Sequence, residues 1–121
     1  MEIRFKGINY DLPGPVTERA QKKIQALKKY LGKDADNAHA YVELGKISEA
    51  HQTGPIWQAM INFSTPRAFF RAEAVEETIE NAIDEATNEL GKEMRRSKKR
   101  NETLVRKGGA FFKSLTRRMQ S

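Results

Sequence analysis

Two histidines, His39 and His51, stand twelve residues apart, and no cysteine occurs anywhere in the 121 residues. A structural zinc site needs several Cys or His ligands at short spacing, so neither metal nor thiol chemistry is expected. No serine sits in the strand-turn-helix context of a nucleophile elbow. Gly108-Gly109 follows Arg106-Lys107 in a basic segment and belongs to no strand-loop-helix unit that could cradle a phosphate. Paired acids such as Glu76 and Glu80 are accounted for as a solvated helix face near a positive N-terminal end. These residues make no catalytic constellation, so no enzyme, cofactor, metal or small-molecule substrate is expected.

Cations are the abundant chemistry, and they are unevenly placed. Residues 1–90 hold 11 Lys/Arg and 14 Asp/Glu, a net of −3, and residues 91–121 hold 11 and 2, a net of +9. The excess positive charge therefore sits in the last quarter. Such an extension suits nucleic-acid phosphates, anionic lipid headgroups or an acidic protein surface, or it serves only as a solubilising tail. The start MEIRFKGINY lacks a signal-peptide pattern, and no run of 18 apolar residues occurs. A soluble cytoplasmic protein with no membrane partner is expected. With 38% hydrophobic residues, the chain can build one domain around one core.

The elements that must position these cations follow from periodicity. Residues 2–9 alternate, with Ile3 and Phe5 on one face, and predict a strand. Asp11 to Pro15 breaks it, and Pro15 suits a helix start. Val16, Ala20, Ile24, Leu27 and Leu31 then form one helical stripe, with Gly32 as the stop. Lys22, Lys29 and Lys33 lie opposite that stripe and Arg19, Lys23 and Lys28 flank it, six cations against Glu18 alone. They are either ordinary solvated side chains or a binding face. His39 to Lys46, Ile56 to Ser64 and Ala68 to Ala74 alternate again and predict three more strands, the last two joined through Ser64-Thr65-Pro66-Arg67.

The stretch from Phe70 to Arg100 organises the whole. Its helix carries Val75, Ile79, Ile83, Ala86, Leu90 and Met94 on one face, while its charge reverses along its length. Seven carboxylates against Arg71 occupy Phe70 to Glu89; six cations, Lys92, Arg95, Arg96, Lys98, Lys99 and Arg100, against Glu93 follow from Lys92. Beyond Met94 charges point all round, so this end is expected to project past the core. Residues 1–100 read as one α+β domain of order β-α-β-β-β-α, a four-stranded sheet with two helices on one face. Residues 101–121 read as a basic tail that orders on binding, or as a short docked helix covering Phe111 and Phe112.

Helices that bring two cationic surfaces together, with little base-reading machinery, suit folded or duplex RNA read by backbone and shape. Tyr41 and Phe69 are the main aromatics outside the expected core, fewer than a single-strand-reading sheet needs. With ~8–12 phosphate contacts, binding should weaken steeply with salt.

The opening MEIRFKGINYDL, Glu18 to Leu31, Ala38 to Val42, and Arg71-Ala72-Glu73 followed by Ala82-Ile83-Asp84 and L-x-x-E-M-R-R-x-K-x-R from Leu90 carry a resemblance. Over about residues 1–100 the chain resembles the ribosome hibernation promoting factor and ribosome-associated inhibitor family, formerly called sigma-54 modulation proteins. The resemblance implies a double-stranded-RNA-binding-like fold lodged in the messenger and transfer-RNA channel of the small ribosomal subunit. It implies silencing of translation by occupancy under stress or in stationary phase, by a protein expected to be a monomer off the ribosome. Carried over, Lys22, Lys23, Lys28, Lys29, Lys92, Arg95, Arg96, Lys98, Lys99 and Arg100 would contact ribosomal RNA phosphates. Arg71 would either join them or pair with Glu73 or a neighbouring strand. Glu80 stands where members commonly carry an aromatic residue, and Gly91 interrupts the helix at ~1 kcal/mol relative to alanine. A short form without the additional C-terminal domain of long members is expected. The alternative function is a regulatory module that docks a transcription factor through its acidic half-helix and tail.

Overall fold

Each stretch of alternating residues forms a strand, because a two-residue period puts every second side chain on one face and lets that face be buried. The structure, a computed structural model, describes residues 1–47 and 54–106, with side chains as far as Arg100. β1 spans Glu2–Ile8, β2 His39–Lys46, β3 Trp57–Ser64 and β4 Phe69–Glu76; α1 spans Gly14–Gln25 and α2 Ile79–Arg106. The order is the predicted β-α-β-β-β-α and the class is α+β. His51, Gly108-Gly109, Phe111 and Phe112 lie outside the described residues.

The sheet runs β1-β2-β3-β4, with β1 parallel to β2 and the other pairs antiparallel. A parallel neighbour requires a crossover, and α1 supplies it. Ala40, Val42 and Leu44 of β2, Ala59, Ile61 and Phe63 of β3, and Ala72 and Ala74 of β4 form one core with Val16, Ala20 and Ile24 of α1. Ile79, Ala82, Ile83, Ala86, Leu90 and Met94 of α2 join the same core. Both helices therefore cover one face of the sheet, and Tyr41 and Phe69 on the other face are 38% and 65% exposed. The β3–β4 connection is closed by Thr65, whose amide donates to the Ala68 carbonyl at 2.8 Å and whose hydroxyl accepts from the Ala68 amide at 2.9 Å.

Val75 departs from the expected helical stripe. It pairs with Gln58 in the β3–β4 ladder and is 40% exposed. Its spacing of four from Ile79 fits a helix, but the strand hydrogen bonds hold it. The helix starts only after Thr78, whose hydroxyl accepts the Asn81 amide at 3.1 Å as an N-cap.

The first helix also changes character: α-helix ends at Gln25 and tightens to a 3₁₀ turn over Ala26–Tyr30. Gly32, expected as the stop of the helix, instead follows this 3₁₀ turn, and at φ 56° it takes the left-handed conformation that turns the chain. The polar segment after it forms a second 3₁₀ turn, Gly32–Asn37.

α2 has 28 residues and so a length of roughly 42 Å, while a strand of 8 residues spans roughly 26 Å. The helix must overhang the sheet. Met94 is the last core residue on it, and Arg95, Arg96, Lys98, Lys99 and Arg100 are exposed.

Candidate nucleic-acid interface

The end of the first helix and the second half of α2 lie side by side where Leu27, part of the core, faces Gly91. A methyl group on Gly91 would sit 3.4 Å from the Leu27 side chain. This close crossing brings the two sets of cations into one layer. Lys22 and Lys23 occupy the last turn of α1, Lys28 and Lys29 the 3₁₀ turn beyond it, and Lys92 to Arg100 the second half of α2.

The sets meet at Tyr30. Lys29 Nζ lies 5.2 Å from its ring centroid and Arg95 Cζ lies 5.9 Å from it, one cation from each helical segment within cation–π range. Around them runs a groove lined by Lys23, Lys29, Arg95, Asn88 and Thr87, with Gly91 in its floor. The Thr87 hydroxyl is committed to the helix, donating to the Ile83 carbonyl at 2.9 Å.

Several cations already have carboxylate partners. Lys23 Nζ stands 3.3 Å from Asp84, Lys92 Nζ 3.3 Å from Glu89 and Arg96 Nη1 2.7 Å from Glu93. Arg19 donates to both Asp84 oxygens, tying α1 to α2. That hydrogen bonding, helped by Lys23 and opposed by partial burial, holds the Asp84 carboxyl below the usual carboxylate range. Lys22, Lys28, Lys98, Lys99 and Arg100 are exposed.

Arg71 lies on β4, at a depression it shares with Glu89 and Glu93 of α2. Its β4 register places it on the uncovered sheet face, where it donates to Glu73 at 2.6 Å and approaches Met60 Sδ at 3.4 Å. Ten of the eleven residues singled out from the sequence therefore lie on the helical layer.

Tyr30, Asn88 and Gly91 line the candidate groove at the helix crossing, and the sequence does not single them out as RNA contacts. Tyr30 could have been found from its place beside Lys28-Lys29. Asn88 and Gly91 gain meaning only from the helix crossing.

Among the described residues, no group of three or more His, Asp or Glu is placed to hold a metal ion. No helix among them is long and apolar enough to cross a membrane.

A four-stranded α+β sheet backed by two helices, with cations gathered along the helical layer, defines the structural class. Residues 3–102 match the family described as sigma 54 modulation protein / S30EA ribosomal protein, and the chain belongs to that ribosome-associated family. The fold is similar to the crystal structure of the Thermus thermophilus Protein Y N-terminal domain, with a TM-score of 0.63 at 21% identity over 78% of this chain and 93% of that one. It is also similar to a ribosomal subunit interface protein from Coxiella burnetii, with a TM-score of 0.64 at 17% identity over 81% and 98%. Among curated proteins none matches the chain.

Proposed function

We propose that this protein is a hibernation factor that binds small-subunit ribosomal RNA in the messenger and transfer-RNA channel and blocks translation by occupancy. The observation that carries this reading is the meeting of Lys29 and Arg95 over Tyr30, which makes one cationic surface from two separate helical segments. Such a surface, carried on two segments, suits folded RNA read by backbone and shape. Family membership and the similarity to the Coxiella burnetii ribosomal subunit interface protein support the same partner. The reading takes a non-enzymatic protein, monomeric off the ribosome, that acts through charge and shape alone.

The acidic half of α2 gives the transcription-factor alternative little support. Asp84 is engaged by Arg19 and Lys23, and Glu89 by Lys92, so these carboxylates serve the fold and its cations.

Sedimentation with small ribosomal subunits at low salt tests the proposal. The protein is expected to co-migrate, and the triple variant Lys98→Glu, Lys99→Glu, Arg100→Glu is expected to stay at the top of the gradient. Co-migration of the triple variant, or ribosome-independent capture of a transcription factor that survives RNase, sinks the reading.

A further inference from the structure

We infer that the outer edge of β4, where it faces α2, is a docking site for a lysine- or arginine-rich segment of another protein, which adds to the sheet as a further strand. The site shares no lining residue with the groove at the helix crossing. It goes beyond the RNA reading, because its partner is a polypeptide.

The backbone supplies the first argument. β4 is the last strand of the sheet, with β3 on one side and no strand on the other. In an antiparallel pair only alternate residues turn their amide and carbonyl toward the neighbour, so the rest of β4 presents donors and acceptors outward. Sheet edges are commonly blunted by a proline, a lysine or a bulge. β4, reading FFRAEAVE, contains neither residue, and its register with β3 is unbroken from Phe69 to Glu76. Its Arg71 and Glu73 are paired with each other at 2.6 Å. β1, on the opposite edge, carries Lys6 in its second half.

A cleft of about 340 Å³ lies along this open edge, walled by residues 69–73 on one side and by Glu89 and Glu93 of α2 on the other. Consecutive strand residues point to opposite faces of a sheet. Since all of 69–73 line the cleft, its wall is the strand's backbone edge. An edge strand beside a helix is the setting in which an extended peptide can pair with a sheet.

The carboxylates select the occupant. Glu89 and Glu93 stand one turn apart on α2, a rise of roughly 6 Å. Side chains two apart on an extended strand point the same way and lie roughly 6.6 Å from each other. Cations at alternate positions of an added strand therefore match successive glutamates, while its intervening side chains face the same side of the sheet as Glu73. Arg71, Lys92 and Arg96 already contact these three carboxylates, each at Oε1. A carboxylate accepts at both oxygens, and exposed pairs of this kind are weak, so an arriving cation can share or displace them. Phe69, largely exposed at one end of the cleft, offers its ring to the stem or charge of a lysine or arginine. The same carboxylates repel phosphate, which makes a nucleic acid the poorer fit.

Amide NMR and hydrogen exchange of the full chain, titrated with a peptide of alternating lysine and valine, test the site. Shifts and slowed exchange are expected in residues 69–73. The same peptide with its central valine replaced by proline keeps its charge but loses a backbone donor, and is expected to leave the exchange of β4 unchanged. The double variant Glu89→Gln, Glu93→Gln, altered only on the helix surface, is expected to bind the valine peptide about threefold to tenfold more weakly, two exposed charge pairs being lost.

Equal effects of the proline and valine peptides overturn the inference, since they reduce the site to charge attraction without strand pairing. Unchanged affinity in the double variant overturns it too. A short RNA duplex that shifts the same β4 amides assigns the cleft to nucleic acid. Contacts between β4 and residues 107–121 in the free full chain assign it to the protein's own basic segment, and either result sinks the docking site. The proline control alters the peptide alone, so the test stays decisive whatever the double variant does to the fold.

Discussion

Arg19 on α1 grips Asp84 on α2 with two parallel hydrogen bonds, 2.7 Å from Nη2 and 3.1 Å from Nε, across 65 residues of sequence. A planar guanidinium matched to a carboxylate fixes orientation as well as distance. The clasp therefore sets the angle between the two helices that carry the cations, and it positions Lys23 on the same carboxylate.

Replacing Asp84 by Asn should loosen that angle. The pair is solvent-exposed, so the stability effect is small: a fall in Tm of about 2–5 °C is expected. The pH dependence is more diagnostic. The Asp84 carboxyl is depressed in the folded state by Arg19 and then by Lys23, so below its unfolded pKa of about 4 the unfolded chain binds more protons than the folded one. The advantage of the native protein over Asp84→Asn should be level from neutrality to about pH 5, and shrink as pH falls through 4 and below. A Tm difference that grows on acidification would contradict the clasp.

The sequence makes the layers legible because burial follows period: Val42, Leu44, Ile61 and Phe63 alternate, and Ile83, Leu90 and Met94 recur at helical spacing, all buried as expected. Val75 shows where that logic stops, since one residue at a strand-helix junction satisfies both periods, and only the ladder to Gln58 decides. The layer that carries ten of the cations was legible for the same reason as the core, its residues being fixed by helical phase. The groove was not. Tyr30 and Arg95 are distant in sequence and meet only because Leu27 and Gly91 allow the helices to cross closely. Nor does the sequence pair Asp84 with Arg19, because the two lie on different helices.

Gly45 should be intolerant of any side chain. It pairs with Ile8 at the end of the β1–β2 ladder, and a Cβ built there would run into the Ile8 carbonyl and nitrogen. Backbone atoms in a paired strand cannot step aside as a flexible side chain can. Gly45→Ala is expected to cost ~2–4 kcal/mol in urea unfolding. Near-neutral behaviour would mean that β1 ends before Ile8.

Leu90 is 0% exposed and stands in the core on the turn of α2 that crosses Leu27. Truncation to alanine removes buried methyl groups and leaves a cavity, so Leu90→Ala should destabilise by ~2–5 kcal/mol with the denaturant slope unchanged. The same variant should weaken RNA binding beyond its effect on the folded fraction, because Leu90 neighbours Gly91, which lines the groove. Binding that tracks only the folded fraction would show that the helix crossing does not depend on Leu90.

The cations of α2 should not contribute equally, although the sequence makes them look alike. Lys92 is held by Glu89 at 3.3 Å and Arg96 by Glu93 at 2.7 Å, so each must leave or share a carboxylate to meet a phosphate. Arg95 instead lies over Tyr30, a neutral partner that leaves its charge available. Alanine at Arg95 is expected to reduce affinity for small subunits by ~1–3 kcal/mol, and alanine at Lys92 or Arg96 by less than about 1 kcal/mol. Removing the competing acid should work the other way: Glu93→Gln frees Arg96 and is expected to tighten binding, most visibly at low salt. Filter binding of the four single variants at two salt concentrations ranks them, and equal losses at all three cations would show that the carboxylate partners do not govern which charges the RNA meets.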